Sequence, residues 1–499
     1  MNLTFTLRQT LALVLAAALS LTGCSVKRVK KIDTAQVAQP QTEHIVGVTT
    51  KNGDEIAFDP PGALIDQNTI KANVRQKPYS IAIDDVQRLW VERRSISAVR
   101  TIGLSVGIAA AALVTIAVII AVTKQSCPFV YSWDGTRYVF DAEPYGGAIA
   151  RSLERDDYSE LEHLRPENGF YRLRLTNEVD ETQFTNMMEL WVVDHAPGSR
   201  VVSDENGRLT EFDHVQPPVA ARDLAGGDLR PWLVATDRKI WEPDPVPAPD
   251  GGLRQEVILT FRKPAGATQA NLIANAATGL WGSYMLKRMV ELRGRETAGW
   301  LSSLERDPVV LRVLYEWGAR EGTYRLPVEV GEPSGWEVRG ALPPGGPLVL
   351  EDRVIPLDVS RVRGDQLQIR LRPPVGFWAF NSFAIAYGSG QAPAVTRVAP
   401  QSAVTADGRD IQRDLLAADD RYYPMPDNTD SAEIAFQAPP QRAGQDRTVL
   451  LHTRGWYQLH LRNEAAPDEL AFARLLTVPG AAAQFAVDRF AEWRQGAQR

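Results

Sequence analysis

Ser126-Cys127-Pro128-Phe129-Val130-Tyr131-Ser132-Trp133-Asp134-Gly135-Thr136-Arg137-Tyr138-Val139-Phe140 is the stretch that decides how the chain is built. Two runs of aromatic and β-branched residues flank Trp133-Asp134-Gly135-Thr136, and an Asp-Gly pair between such runs predicts a two-stranded hairpin. The same grammar recurs on both sides. Upstream, Ile45–Thr50 and Glu55–Phe58 flank Lys51-Asn52-Gly53-Asp54, with further strands expected around Thr69–Val74, Tyr79–Ile83 and Arg88–Arg93. About five short strands in residues 45–97 predict a small barrel-like β domain. Downstream, Tyr171–Thr176, Met187–Asp194 and residues 256–262 continue as strands, so 126–262 reads as one β-rich domain.

Pro217 to Gly252 is rich in Pro, Gly and Asp and reads as a linker or surface excursion. From 267 the apolar residues Leu272, Ile273, Ala276, Leu280, Tyr284, Met289 and Val290 recur at three- and four-residue intervals, which predicts a helical pair over 267–318. Residues 324–390 read as a β-sandwich-like domain, and 391–499 as a β-rich C-terminal region ending in a helix near Ala481–Arg494. The expected fold class is therefore mainly β, with a barrel-like N-terminal module, sandwich-like modules, one apolar membrane-type helix and an inserted helical pair.

The amino terminus carries a different message. Arg8 is followed by the apolar run Leu11–Leu21 and then by Thr22-Gly23-Cys24, the pattern of a secretory signal peptide over 1–23. That run is shorter than the roughly 20 residues a spanning helix needs. Leu21-Thr22-Gly23-Cys24 resembles the lipobox of bacterial lipoproteins. The resemblance covers about two dozen residues and implies a diacylglycerol on the Cys24 thiol, with Cys24 as the first residue after cleavage. Residues 24–44 then form a lipid-anchored linker, and the basic run from Lys27 to Lys31 suits anionic headgroups, at about 1 kcal/mol per basic residue. The block Asp141-Ala142-Glu143-Pro144-Tyr145-Gly146-Gly147-Ala148 resembles one found in uncharacterised bacterial envelope proteins, which implies a module and no activity.

Ile102 to Val122 holds no charged residue and is long enough to cross a bilayer core as a helix. It begins with Gly103-Leu104-Ser105-Val106-Gly107, which matches G-x-S-x-G formally. That motif needs a strand before it and a helix after it, and here it opens an apolar run, so catalysis is not read from it. Gly103 and Gly107 are spaced for close helix packing instead. The charged flank Arg88, Arg93, Arg94 and Arg100 places the preceding residues in the cytoplasm, whereas a lipidated Cys24 places them outside. The two signals conflict, and the choice between inner and outer membrane stays open.

Composition bounds the function. The chain has 499 residues, 44% hydrophobic and 23% charged, which describes a folded protein of several domains. A net charge of −6 without a basic patch excludes a nucleic-acid partner. Cys127 is the one cysteine besides Cys24, so no disulfide framework is expected, and the six histidines show no metal-ligand spacing. No cofactor is expected. Asp156-Asp157 with Glu160 and Glu162, and Asp194-His195, read as solvated charges at turns and strand ends. Asp407-Gly408 and Asp419-Asp420 read as turns, because neither has the alternating spacing of a calcium loop.

Phe377, Trp378 and Phe380 cluster at a strand start, where exposed aromatics would stack on sugar rings and buried ones would form core. The function expected is a lipid-anchored, non-catalytic cell-envelope protein with a structural or partner-binding role. Its partners are membrane lipid, through Cys24 and residues 102–122, and an envelope protein or glycan. The alternatives are a surface carbohydrate-binding lipoprotein and a membrane-embedded oligomeric assembly built on Gly103 and Gly107.

Overall fold

The computed structural model describes residues 26–33, 45–52, 54–59, 62–66, 68–74, 77–95, 128–237, 239–461 and 463–497. It divides into two compact units, Met1–Leu113 and Val114–Arg499. The protein is mainly β, in several antiparallel sheets. Cys24 and the segment Ile102–Val122, with Gly103 and Gly107, lie outside the described residues. Among the described residues no helix is long and apolar enough to cross a membrane.

In the first unit, Val86–Ser95 pairs with Val26–Asp33 on one side and with Ile45–Thr50 on the other. Leu64–Asp66, Thr69–Val74 and Lys77–Ala82 form a second sheet, and one small core of Ile45, Val48, Phe58, Ile70, Val86 and Leu89 serves both. The stretch 24–44, expected to be linker, therefore contains a strand. Its partner lies some sixty residues downstream, so no local pattern announces it.

The second unit is built from two sandwiches. In the first, Glu181–His195 pairs along its length with Asp446–Leu459, which pairs in turn with Arg155–Glu160. Facing them are Phe129–Trp133, Tyr138–Ala142, Phe170–Thr176, Pro400–Thr405 and Ser431–Gln437. Leu173, Leu175, Leu190, Val192, Ile434 and Leu451 fill the space between the two sheets. The turn at 134 forms because Asp134 Oδ1 accepts from the Thr136 and Arg137 amides at 2.8 and 2.9 Å, while Gly135 takes a φ of +93°.

In the second sandwich, Ala220–Asp223, Val257–Arg262, Gln366–Leu371, Leu326–Glu332 and Gly335–Leu342 face a three-stranded sheet of Glu351–Asp358, Gln269–Thr278 and Trp378–Tyr387. Its core includes Leu259, Phe261, Leu272, Val328, Ile369 and Phe383. A hairpin, Arg200–Ser203 with Leu209–Phe212, lies between the sandwiches and uses its two faces separately. Val201 and Leu209 pack with Trp191 and Leu450 of the first sandwich, whereas Val202 and Phe212 pack with Ile273 and Val354 of the second.

The strand pairing departs from the expected organisation in three places. The boundaries at 262, 324 and 390 do not separate sheets, because strands from 400–459 pair with strands from 129–195 and the strand Val257–Arg262 pairs with Gln366–Leu371. The helical reading of 267–318 holds only from Leu280 onward, since Gln269–Thr278 is a strand. That strand buries residues on both faces, Leu272 toward the sandwich core and Ile273 toward the hairpin, so the period-two signal is lost. The span 217–252 is not a free linker either. It carries the strand Ala220–Asp223 and a single turn, α1 (Arg230–Leu233), and the backbone of Trp241 exchanges hydrogen bonds of 2.7 and 3.0 Å with Phe380.

Candidate functional site

Among the described residues there are five further α-helices, α2 (Leu280–Glu291), α3 (Thr297–Arg306), α4 (Pro308–Glu321), α5 (Glu469–Thr477) and α6 (Ala481–Ala497); α2, α4, α5 and α6 add to the core of the second sandwich, whereas Leu301 and Leu304 of α3 pack with Ala150. Local chemistry sets their ends. Asp307 caps α4 by accepting from the Val309 amide at 2.8 Å, with Pro308 in the first turn, and Asp468 caps α5 through the Ala471 amide at 3.0 Å.

Three stripes of residues on α2 matter for the site. Trp281, Met285 and Met289 enter the sandwich core, and Trp281 donates its indole N–H to the Ala486 carbonyl of α6 at 3.2 Å. One step around the helix, Leu286 and Val290 face a cavity instead. On the third stripe stand Ser283, Lys287 and Glu291. Each stripe follows the i, i+4 spacing of a helical surface.

The cavity measures about 270 Å³. Leu314 and Trp317 of α4 line it, with Trp300 of α3, Phe472 and Leu475 of α5, and Tyr457 and Leu459 at the end of the strand Asp446–Leu459. Trp317 is fixed by donating to the Leu475 carbonyl at 2.8 Å, and Trp300 meets Phe472 edge-on with ring centroids 5.5 Å apart. A mostly apolar concavity with few polar groups is the usual form of a small-molecule site.

The floor is the 141–148 block. Tyr145 is fully buried with a φ of +46°, a conformation that costs energy in any residue other than glycine. It is held there by its amide, which donates to Asp157 Oδ2 at 2.8 Å, and by its hydroxyl, 2.8 Å from Thr185 Oγ1. Gly147, at φ +86°, lets the chain turn against Tyr324: a Cβ there would come within 2.8 Å of that ring. The Gly147 amide donates to the Tyr457 hydroxyl at 3.0 Å. The strained turn thus presents Gly146, Gly147 and Ile149 to the cavity.

Lys287 is the charged group at the boundary between this cavity and an open groove of about 630 Å³, which Arg288, His460 and Arg489 also line. The groove's two arginines are paired, Arg288 with Glu291 at 2.5 Å and Arg489 with Glu492 at 2.8 Å, and the His460 ring is hydrogen-bonded to Asp180 at 2.8 Å. Lys287 makes no ion pair among the described residues. Its ammonium is held below the usual lysine range by burial, against an upward pull from Glu291, Glu181 and Asp180. A half-buried cation that no carboxylate contacts directly is stabilised by an anion brought against it.

The residues singled out in the sequence lie elsewhere. Phe377, Trp378 and Phe380 are at most 2% exposed. Trp378 donates its indole N–H to the Gly322 carbonyl at 2.7 Å and stacks on Phe380, so no ring face is open to a sugar. The acidic groups expected to be solvated are largely enclosed. Asp157 is buried and also bonded by the Tyr158 amide, Asp194 forms a 2.6 Å ion pair with Arg447, and His195 is 6% exposed. Strand pairing carries these charges inward, which local composition does not reveal. Among the described residues no group of three or more His, Cys, Asp or Glu side chains is arranged to hold a metal ion.

No protein-family model and no curated protein matches the chain. Among solved structures it is similar to a β-porphyranase of glycoside hydrolase family 86 from the human gut bacterium Bacteroides plebeius. That likeness has 8% identity over 48% of this chain and 37% of that one, with a TM-score of 0.16. The chain thus spans little more than a third of the porphyranase's length. A second similarity, to the structure of infectious bursal disease virus Gx strain, has 8% identity, covers 75% of this chain and 90% of that one, and has a TM-score of 0.09. Scores this low carry no argument about fold or activity.

Proposed function

We propose that the protein is a lipid-anchored, non-catalytic component of the bacterial cell envelope that binds an amphipathic anion, an acyl chain bearing a carboxylate or phosphate head. The anchor rests on Leu21-Thr22-Gly23-Cys24. The ligand class rests on one observation: Lys287, with no ion-pair partner among the described residues, stands between an apolar cavity and an open polar groove. The chain would lie against Leu286, Val290, Trp317 and Phe472, and each buried methylene would contribute about 0.8 kcal/mol. The head would sit beside Lys287, whose ammonium offers three donors. The sugar-stacking alternative loses its motivation, because its rings lie in the core.

Tryptophan fluorescence tests this reading. A bromine-labelled long-chain fatty acid seated in the cavity lies against Trp300 and Trp317. Saturable quenching that is largely lost in the Trp300→Phe, Trp317→Phe double variant is the expected result. Quenching of equal depth in that variant would place the ligand elsewhere and sink the proposal.

A further inference from the structure

We propose that a cleft of about 370 Å³ between the two sandwiches is a second ligand site, taking a primary ammonium group on a short aliphatic body. Its rim and walls carry the carboxyl groups of Asp141, Glu160, Glu162, Asp237, Glu351 and Asp352, against Arg353 and His163. Several of these acids are already engaged: Asp141 with His163 at 2.8 Å, Asp237 with Lys239 at 3.8 Å, and Asp352 with Arg200. Of the other three, Glu162 is exposed, and the two more enclosed ones are not fully engaged. Glu160 has neither a side-chain hydrogen bond nor an ion pair among the described residues. Glu351 gives one oxygen to Arg353, and its other oxygen is buried beside Ser159 Oγ outside hydrogen-bonding geometry.

An independent feature comes from the hairpin. Ser203 is 2% exposed, its Oγ has no hydrogen-bond partner among the described residues, and it lines this same cleft. A buried polar atom without a partner costs about 1–3 kcal/mol, so the site gains from a ligand that satisfies it. The unmet groups are rich in acceptors, and an alkylammonium brings three donors and a positive charge. Val201, Val202, Leu348 and Ile240 supply the apolar wall for its carbon chain.

The charge state fits an exchange of a proton for the ligand. Burial, with Asp352, Glu162 and Asp141 nearby, pushes the Glu160 carboxyl up to about 8 against the downward pull of Arg200. At neutral pH Glu160 holds its proton, and an arriving ammonium favours the carboxylate, so binding should release about one proton.

The test is calorimetric titration of the full-length protein with putrescine at pH 7, in two buffers of different ionisation enthalpy. Expected are saturable binding, proton release, and affinity at least tenfold weaker in Glu160→Gln. Ser203→Ala, which removes the hydroxyl and nothing else, should also weaken binding and serves if Glu160→Gln does not fold. The neutral isostere butane-1,4-diol should not compete. Equal binding of the diol, displacement of putrescine by calcium at matched concentration, or unchanged affinity in both variants would overturn the assignment.

Discussion

Replacing Glu143 by glutamine should make the protein less sensitive to a rise in pH from 4.5 to about 8 without disturbing its shape. Glu143 is 4% exposed, and Oε2 accepts from the Leu348 amide at 2.9 Å. Burial pushes its carboxyl up to about 8 from 4.5, and Glu351, Glu181 and Asp157 push it the same way, against the hydrogen bond from Leu348. The folded state therefore keeps a proton that the unfolded chain releases. For a carboxyl raised in this way, stability is highest below its ordinary value and falls as pH climbs from 4.5 toward 8. Each unit in that window removes about 1.4 kcal/mol, so the loss is about 3 kcal/mol at pH 7 and levels off at about 4–5 kcal/mol above pH 8. The substituted amide keeps an acceptor for Leu348 and the same volume, which matters because Glu143 Oε2 lies within 2.6 Å of where a Cβ on Gly346 would stand. Equilibrium urea unfolding at pH 5, 7 and 8.5 gives the comparison. The Glu143→Gln variant should match the wild type at pH 5 and exceed it increasingly at the higher values. Parallel pH profiles would refute the argument, since Glu160 and Glu242, whose carboxyls burial also pushes up, contribute equally to both proteins.

Three further outcomes follow from the same physics. Trp378→Ala should destabilise the fold by about 3–5 kcal/mol in urea, as expected for an emptied aromatic core site, whereas a loss under about 1 kcal/mol would mean the ring is not packed. His452 lies between Asp156 at 2.9 Å and Glu189 at 2.8 Å; burial pulls its pKa down, but the carboxylates prevail and the net shift is upward, while both partners are held below the usual range. Its contribution is therefore complete in mildly acidic solution, fades as pH rises through the raised imidazole value, and fades again as the carboxylates protonate. His452→Gln should cost about 1–2 kcal/mol at pH 6, a range discounted for the half-exposed partners, and less at pH 9; an equal cost at both would contradict it. Finally, Cys24→Ser should move the protein from the membrane fraction to the soluble one and remove the lipid mass from the amino-terminal peptide, and retention of that mass would place the anchor elsewhere.

What can be read in advance is local. Trp133-Asp134-Gly135-Thr136 announces its hairpin because the turn's bonds fall within four residues, and α4 falls in the stretch expected to be helical, running three residues past the boundary at 318. The strand Gln269–Thr278 escapes such a reading because burial on both faces removes alternation. The interleaving of 129–195 with 400–459 leaves no trace at all, since backbone pairing is indifferent to sequence distance. The cavity suffers most from this. Its floor and its strand wall meet through a bond from Gly147 to Tyr457, 310 residues apart. The useful hint is Tyr145-Gly146-Gly147, a bulky residue before two glycines, which in this fold is a strained turn against the cavity wall. Lys287 is invisible as a site residue in the sequence, because only the fold shows that the charges near it are spoken for and its own is not.

The most direct test of the ligand assignment is calorimetric titration of wild type and Lys287→Gln with dodecanoate and with the neutral dodecanol. The wild type should bind the anion about tenfold more tightly than the alcohol, the worth of one charge-assisted hydrogen bond, and Lys287→Gln should lose that preference while still binding the alcohol. Equal binding of both ligands by the wild type, or an anion preference that survives in Lys287→Gln, would contradict the account.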